Sequence, residues 1–253
     1  MLLAALVVYN WVSRKDWDAF IQDSEVKLAA LENDLSAVQK EQAELARNLN
    51  AAAAAAVRYQ REYESRMARE ADEKPRAMWG IRRMGSVITQ LAMARQRKKL
   101  DVLRSIINEF GGSVIRSLRA IQQIISPRQG DPSGFKPPDD ALQKAARDQL
   151  ALLEPAIKGT IELLAQMKIE LTDDASSLKD QELKIQRLMP AGVSRADPMT
   201  DQTIKAVESV LKANERTQEL LARLDKSTDR FGKVVYRASD IIKAQSAFMT
   251  AVK

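Results

Sequence analysis

Apolar residues recur at alternating intervals of three and four along the first quarter of the chain. From Trp17 to Tyr63 this heptad register meets an apolar, aromatic or Ala residue at almost every step, and only Ser24 and Gln42 interrupt it. No Gly or Pro lies within this stretch. A stripe this narrow and this long is typical of a helix that packs against other helices. The pattern therefore predicts one continuous helix over about residues 3–73.

Two further heptad stripes follow in the second half of the chain. From Leu150 to Ile185 every seventh residue is Leu or Ile, and Asp174 lies on the same stripe. Asp139 and Asp140 predict the start of this helix, because carboxylates stabilise a helix N-terminus. A last stripe begins near Val207 and predicts a final helix that Thr200 or Asp201 caps. Its polar members, such as Asn214, are of the kind that fix helix register.

Pro and Gly residues predict the breaks between these helices. The Lys74-Pro75 pair predicts the end of the first helix, because the residue before Pro is disfavoured in helical conformation. Gly111-Gly112 predicts a hinge or cap between helices over about 76–110 and 113–125. Pro155 lies on the outer face of its helix and predicts a kink there. Two Pro-rich segments, 126–138 and 189–198, predict loops.

Composition agrees with an all-helical chain. Aromatic residues make up only 5% of the 253 residues, and alternating β-branched patterns are nowhere sustained. The predicted fold class is all-α: an elongated multi-helix bundle or coiled coil with a very long N-terminal helix. The predicted segments are an apolar N-terminal cap (1–15), a long coiled-coil helix with a basic helical hairpin (16–125), a Pro/Gly-rich loop (126–138) and a C-terminal helical hairpin (139–253).

Seam residues of the first and fourth helices are predicted to carry assembly. Apolar surface left over on the first helix would pair with other copies of the chain or with other helical subunits. The predicted assembly seam consists of Leu28, Leu31, Leu35, Val38, Leu45, Leu49, Leu164, Leu171 and Leu178.

The N-terminal cap is a candidate for membrane contact. Leu2 to Val12 are almost all apolar and precede two cations. Eleven residues reach roughly 17 Å along a helix, which is shorter than a bilayer core of about 30 Å. A signal peptide fits poorly, because the segment starts without cations and no A-x-A cleavage pattern follows. Partial insertion, a shortened span in a larger assembly and burial against protein remain open. The predicted membrane contacts are Leu2, Leu3, Leu6, Val7, Val8, Tyr9, Trp11, Arg14 and Lys15.

The positive charge is concentrated in one stretch. The chain carries a formal net charge of +6. Between Arg76 and Arg119 ten basic and two acidic residues give +8, so the remainder sums to −2. Such local asymmetry favours a docking surface over a general effect on solubility. The predicted basic surface consists of Arg82, Arg83, Arg95, Arg97, Lys98, Lys99 and Arg104.

Three interpretations of this basic stretch stay open. Apolar residues such as Trp79, Val87 and Leu91 are mixed with the cations, as in a helix that lies in the interface of an anionic membrane. The cations could instead contact the phosphate backbone of a nucleic acid. In the third interpretation they pair with acids of the first helix, such as Glu62 and Glu70, and the stretch is an ordinary core helix.

Candidate chemistry is sparse. The chain contains no Cys and no His. Disulfides are thereby excluded, and zinc sites and the common nucleophile–base pairs lose their usual ligands and bases. No phosphate-binding loop and no nucleophile elbow occurs in the sequence. Paired acids such as Asp139-Asp140 are typical of helix caps and solvated faces. We therefore expect a protein without enzymatic activity, cofactor or metal.

These observations favour a structural or scaffolding coiled-coil protein that is membrane-associated and part of a multi-subunit assembly. Most of the chain would lie on the cytoplasmic side. One alternative is a membrane-active helical protein, either a pore-former or an injected phage or secretion component. A third possibility is a coiled coil that associates with nucleic acid.

Overall fold

All described residues of the computed structural model are helical. The structure describes residues 2–67, 73–125, 140–187 and 198–252, and no strand occurs within these ranges. The helices are α1 (Leu2–Met67), α2 (Glu73–Glu109), α3 (Ile115–Ile125), α4 (Asp140–Arg187) and α5 (Pro198–Val252), and a π-helical turn (Phe110–Val114) joins α2 to α3. The predicted all-α class is confirmed, and so is the long N-terminal helix, which has 66 residues.

The chain forms two compact units, and each is assembled from separate stretches of sequence. The first unit comprises Met1–Asn33, Leu103–Ala165 and Ala222–Lys253, and the second comprises Asp34–Val102 and Gln166–Leu221. Helices α1, α2, α4 and α5 each contribute residues to both units. The unit boundaries therefore fall inside helices and not in the predicted loops.

An aromatic cluster lies in the core of the first unit. The Phe231 ring is almost fully buried and meets the ring of Phe20 edge-on, with centroids 5.3 Å apart. On another side it meets the ring of Phe110, with centroids 4.8 Å apart. Edge-to-face pairs at these separations add to the hydrophobic stabilisation of the buried rings. Helix α1, helix α5 and the π-turn are thus joined at one point.

The second unit has an aliphatic core to which all four of its helices contribute. Leu49, Met93, Leu178, Val207 and Val210 form one buried cluster. Fully burying a side chain of this size stabilises a fold by about 1.5–3 kcal/mol. The heptad stripes of α1, α4 and α5 therefore pack against other helices of the same chain.

The predicted seam residues are accordingly found in the interior of their units. Leu28, Leu31, Leu35, Val38, Leu49, Leu164, Leu171 and Leu178 are buried, and Leu45 is half-buried. Their use in association between copies stays a prediction.

The predicted hinge or cap at Gly111-Gly112 is wrong. Both glycines lie in the π-turn, and the flanking Glu109 and Ile115 have ordinary right-handed helical dihedrals. The backbone N–H of Ile115 donates to the carbonyl of Phe110, which is the i→i+5 bond of a π-helix. The helix therefore continues through both glycines.

The spacing of buried residues gives the physical reason for this π-turn. In α2 and α3 the buried positions alternate by three and four, except that two intervals of four follow each other between Phe110, Val114 and Leu118. The sequence thus contains one residue more than the heptad register allows. A single wide turn absorbs that residue and keeps the side chains on both sides facing the core.

Two helix starts also differ from the prediction. Helix α2 already begins at Glu73, so Pro75 lies in its first turn, where the missing N–H costs nothing. Helix α5 begins at Pro198, two residues before the predicted cap at Thr200, in agreement with the preference of Pro for the first helical position. Pro155 lies inside α4 and is exposed, as predicted for an outer face. The predicted loop at 126–138 lies outside the described residues.

Candidate functional site

The inner face of α2 carries a buried ion pair in the second unit. Lys99 and Asp174 of α4 both have side chains that are only 8% exposed, and Lys99 Nζ lies 3.6 Å from Asp174 Oδ2. Lys99 Nζ also lies 3.1 Å from Glu170 Oε2, and Arg95 Nη1 donates to Asp174 Oδ1 at 2.9 Å. Two cations of α2 therefore hold two carboxylates of α4.

Lys99 is consequently not part of a basic surface, and its assignment to one is wrong. It lies three residues after the buried Gln96 and four before the buried Leu103, so it shares their face of α2. A carboxylate on the opposing helix compensates its burial, as such a position requires.

The two carboxylates that contact Lys99 differ in their hydrogen bonding. The Lys99 ammonium donates a hydrogen bond to Glu170 and attracts its charge, and so it lowers the pKa of the Glu170 carboxyl. Asp174 Oδ1 accepts a hydrogen bond, whereas Oδ2 is buried without one and has only the longer ionic contact to Lys99. Lys99 is therefore the cation that lies nearest to the Oδ2 atom of Asp174 among the described contacts.

A chain of amide hydrogen bonds adds to the polar character of this interior. Gln42 Nε2 donates to Gln96 Oε1 at 3.2 Å, and Gln96 Nε2 donates to the Val210 carbonyl at 3.4 Å. Asn214 Nδ2 donates to the Leu171 carbonyl at 3.1 Å. These bonds connect α1 to α2, α2 to α5 and α5 to α4. We call Gln42, Gln96, Lys99, Asp174 and Asn214 the polar layer of the second unit.

The opposite face of α2 points to solvent and combines apolar and basic residues. Val87 and Leu91 are 49% and 54% exposed, and Lys98 and Val102 are exposed on the same face. We call these four residues the outer stripe. Arg97 is exposed beside it, and within the described part of the chain neither Arg97 nor Lys98 has an ion-pair partner.

Other cations of the basic stretch are paired within the first unit. Arg104 Nε lies 3.2 Å from Glu32 Oε1, and Arg119 Nη2 lies 2.6 Å from Glu25 Oε1. Both acids belong to α1, in agreement with the interpretation that α1 neutralises part of the stretch. The side chains of the acids suggested from the sequence, such as Glu62 and Glu70, lie outside those described, so their pairing stays a prediction.

The two remaining predicted surface residues and the membrane contacts have backbone descriptions only. Arg82 and Arg83 lie in α2, and residues 2–15 lie in α1, but their side chains are not among those described. Over the part of the chain that the structure describes, no helix contains a segment both long enough and apolar enough to cross a membrane.

The described residues include no group of three acidic side chains positioned to hold a metal ion. An open groove of about 270 Å³ lies in the second unit between α1 and α5, lined in part by Glu41, Ser209 and Lys212. The Ser209 hydroxyl donates to the Lys205 carbonyl of its own helix at 2.7 Å. This serine is therefore engaged with the backbone and not with a base.

Comparisons with protein-family models and with curated proteins found no match to this chain.

The polar layer and the outer stripe were not recognised as such from the sequence, although signals for them exist. Met93, Gln96, Leu100 and Leu103 follow the three–four alternation, which places Gln96 on the core face. Val87, Leu91, Lys98 and Val102 follow the same geometry on the opposite face. The three–four register of α2 by itself therefore separates an inner set of residues from an outer set.

Proposed function

We propose that this protein is a non-enzymatic structural protein that attaches to a membrane through its N-terminal segment and scaffolds a multi-subunit helical assembly. Its described residues serve mainly to build and hold two helical units. The partners would be further copies of the chain or other helical subunits, and association would proceed by packing of apolar helix faces.

The observation that carries this proposal is the continuity of α1. The apolar segment from Leu2 to Val12 and the core residues Trp17 and Ile21 belong to one unbroken helix. A helix without Gly or Pro keeps its two ends at a nearly constant separation, because its backbone hydrogen bonds resist bending. An anchor built in this way would hold the bundle at a defined distance from the surface to which it binds.

The proposal is tested by light scattering with in-line size exclusion and by vesicle sedimentation. Full-length protein is compared with a deletion of residues 1–15, each with and without vesicles of anionic phospholipid. The proposal expects a defined oligomer in both proteins and vesicle binding that weakens strongly on deletion. A full-length protein that is monomeric and ignores vesicles would refute it.

A membrane-active function is the second candidate, and the polar layer favours it. Amide and ionic groups inside a bundle can be transferred to water or to a polar pore lining at a lower cost than aliphatic side chains. The second unit could therefore open more readily than an all-aliphatic bundle. Release of a dye trapped in vesicles, together with loss of amide-exchange protection in residues 166–187, would favour this candidate over the scaffold.

A further inference from the structure

We propose that the outer stripe of α2 is a second membrane-contact surface, which binds the headgroups and upper acyl chains of anionic phospholipids. This inference rests on the proposed membrane association, and it assigns that association a site outside the N-terminal segment.

The geometry of the stripe fits a planar surface. Val87, Leu91, Lys98 and Val102 are separated by four, seven and four residues, so they lie along one side of the helix over about 22 Å. Exposed Ala94 fills the interval between Leu91 and Lys98. The helix can thus present an almost unbroken line of contacts to a flat partner.

The opposite face of α2 fixes this orientation. Met93, Gln96 and Lys99 are buried, and Gln96 and Lys99 are bonded to groups on other helices of the second unit. Rotation of α2 about its axis would break the Gln96–Val210 hydrogen bond and separate Lys99 from Asp174. The outer stripe is therefore presented permanently and needs no conformational change to meet a surface.

Charge identifies the kind of partner. Between Val87 and Val102 the sequence has four cations and one acid, Asp101, whose carboxylate accepts a hydrogen bond from Gln39. Lys99 is neutralised inside, and Arg95 is bonded to Asp174. Lys98 and Arg97 remain as exposed cations without an ion pair among the described residues. Apolar side chains directly beside free cations are the pattern that anionic membrane interfaces bind.

The aliphatic residues distinguish a lipid partner from a nucleic acid. A phosphate backbone would engage Arg97 and Lys98 and leave Val87 and Leu91 in water, because nucleic-acid binding derives its affinity from the cations. A lipid surface uses both sets, since the cations meet the headgroups while the aliphatic groups leave water.

The absence of Cys from the chain permits a direct test. A single Cys is introduced at Leu91 (Leu91→Cys) in the full-length protein and labelled with a dye whose emission shifts to the blue in apolar surroundings. The matched control is Ile169→Cys on α4, which is 64% exposed and whose neighbour one turn later is the acidic Asp173. Vesicles of pure phosphatidylcholine and vesicles containing phosphatidylglycerol are added to each protein.

The inference expects a blue shift at position 91 with anionic vesicles only, and none at position 169. If the protein sediments with anionic vesicles but the dye at 91 still reports water, this inference is wrong while the proposed function stands. If the protein does not sediment with vesicles, both fail. A shift at 91 that appears without vesicles as the protein concentration rises would assign the stripe to a second copy and overturn the lipid contact. Binding of duplex DNA without any response to vesicles would overturn it as well.

A charge-reversal pair measures the contribution of the cations. Lys98→Glu should weaken binding to anionic vesicles roughly 30-fold, because each cation near such a surface adds about fivefold and reversal changes two charges. Lys168→Glu, an exposed position on α4, changes the net charge equally and should weaken binding only a few-fold. Equal losses in both variants would show that net charge alone controls binding and would refute a local contact.

Discussion

Removal of one member of the buried Lys99–Asp174 pair should destabilise the second unit, whereas removal of both should not. The relevant variants are Lys99→Met, which keeps the length of the side chain, Asp174→Leu, which keeps its approximate size, and their combination. Each single change leaves one charge in an interior where both side chains are only 8% exposed. The double change leaves an aliphatic contact between α2 and α4.

The structure sets the magnitude of each effect. Breaking a buried ion pair by removing one partner costs about 3–5 kcal/mol when the other charge is left without compensation. Here each charge keeps a second partner: Asp174 keeps Arg95, which is 63% exposed, and Lys99 keeps Glu170, which is 49% exposed. Such exposed partners contribute little because water screens them. We therefore expect a loss at the lower end of this range, about 3 kcal/mol, for either single change.

The double variant should be close to the wild-type protein in stability, or more stable by about 1–2 kcal/mol, because replacing a buried pair by packed aliphatic groups removes the cost of its desolvation. The effect of the double change on the free energy of unfolding should then differ from the sum of the two single effects by at least about 3 kcal/mol. Arg95 and Glu170 would return to water, where neither loses much.

Urea denaturation followed by amide hydrogen exchange is the assay, since exchange resolves the two units separately. Peptides from 166–187 report the second unit, and peptides from 222–243 report the first and serve as the internal control. If the destabilising effects of the two single changes simply add in the double variant, the reasoning is refuted, because the two charges then do not depend on each other. A stabilising Lys99→Met would refute it too.

Three further outcomes are expected. Phe231→Ala should destabilise the first unit by about 3–5 kcal/mol, measured by the same exchange experiment, because it leaves a cavity beside Phe110; an effect below about 1 kcal/mol would contradict the aromatic cluster. Gly111→Ala should raise the melting temperature, since a Cβ there meets nothing within 4 Å and helical Gly costs about 0.5–1 kcal/mol relative to Ala; a lowered melting temperature would instead indicate a left-handed cap. Glu170 has a pKa below its ordinary 4.5 when folded, so its stabilising effect is present at neutral pH and lost as the pH falls below that value. Glu170→Gln should therefore make urea midpoints less dependent on pH in that acidic range, and an unchanged slope would argue against the contact with Lys99.

Much of the fold could be predicted from local spacing. A seven-residue recurrence predicts the core positions of Leu28, Leu35, Leu164 and Leu171. Seven residues make about two helical turns, so side chains at this spacing lie on the same face. Polar residues such as Asn214, which interrupt the stripes, are buried as their register requires. The π-turn could also have been anticipated from the extra residue between Phe110 and Leu118, although glycines at that place suggested a cap.

The candidate site could be predicted only in part. Composition identifies the basic stretch, but it does not distinguish the exposed Lys98 from the buried Lys99. The 100° between successive helical residues places one on the outer face and the other in the core. The three–four register of α2, which includes the buried Gln96 and Leu103, separates these two lysines, whereas composition alone does not.

The amino-acid sequence by itself determined the helices, their inward faces and the chemistry that the chain lacks, because propensity, heptad spacing and composition are local properties of a chain. Only the tertiary structure decided which helix lies opposite which face. It brought Asp174 to Lys99 and Val210 to Gln96, and it divided four helices between two units. The physical reason is that a stripe of apolar residues requires burial without specifying a partner. The partner is selected by the joint packing of all helices, and the cost of burying each charge and each amide enters only at that stage.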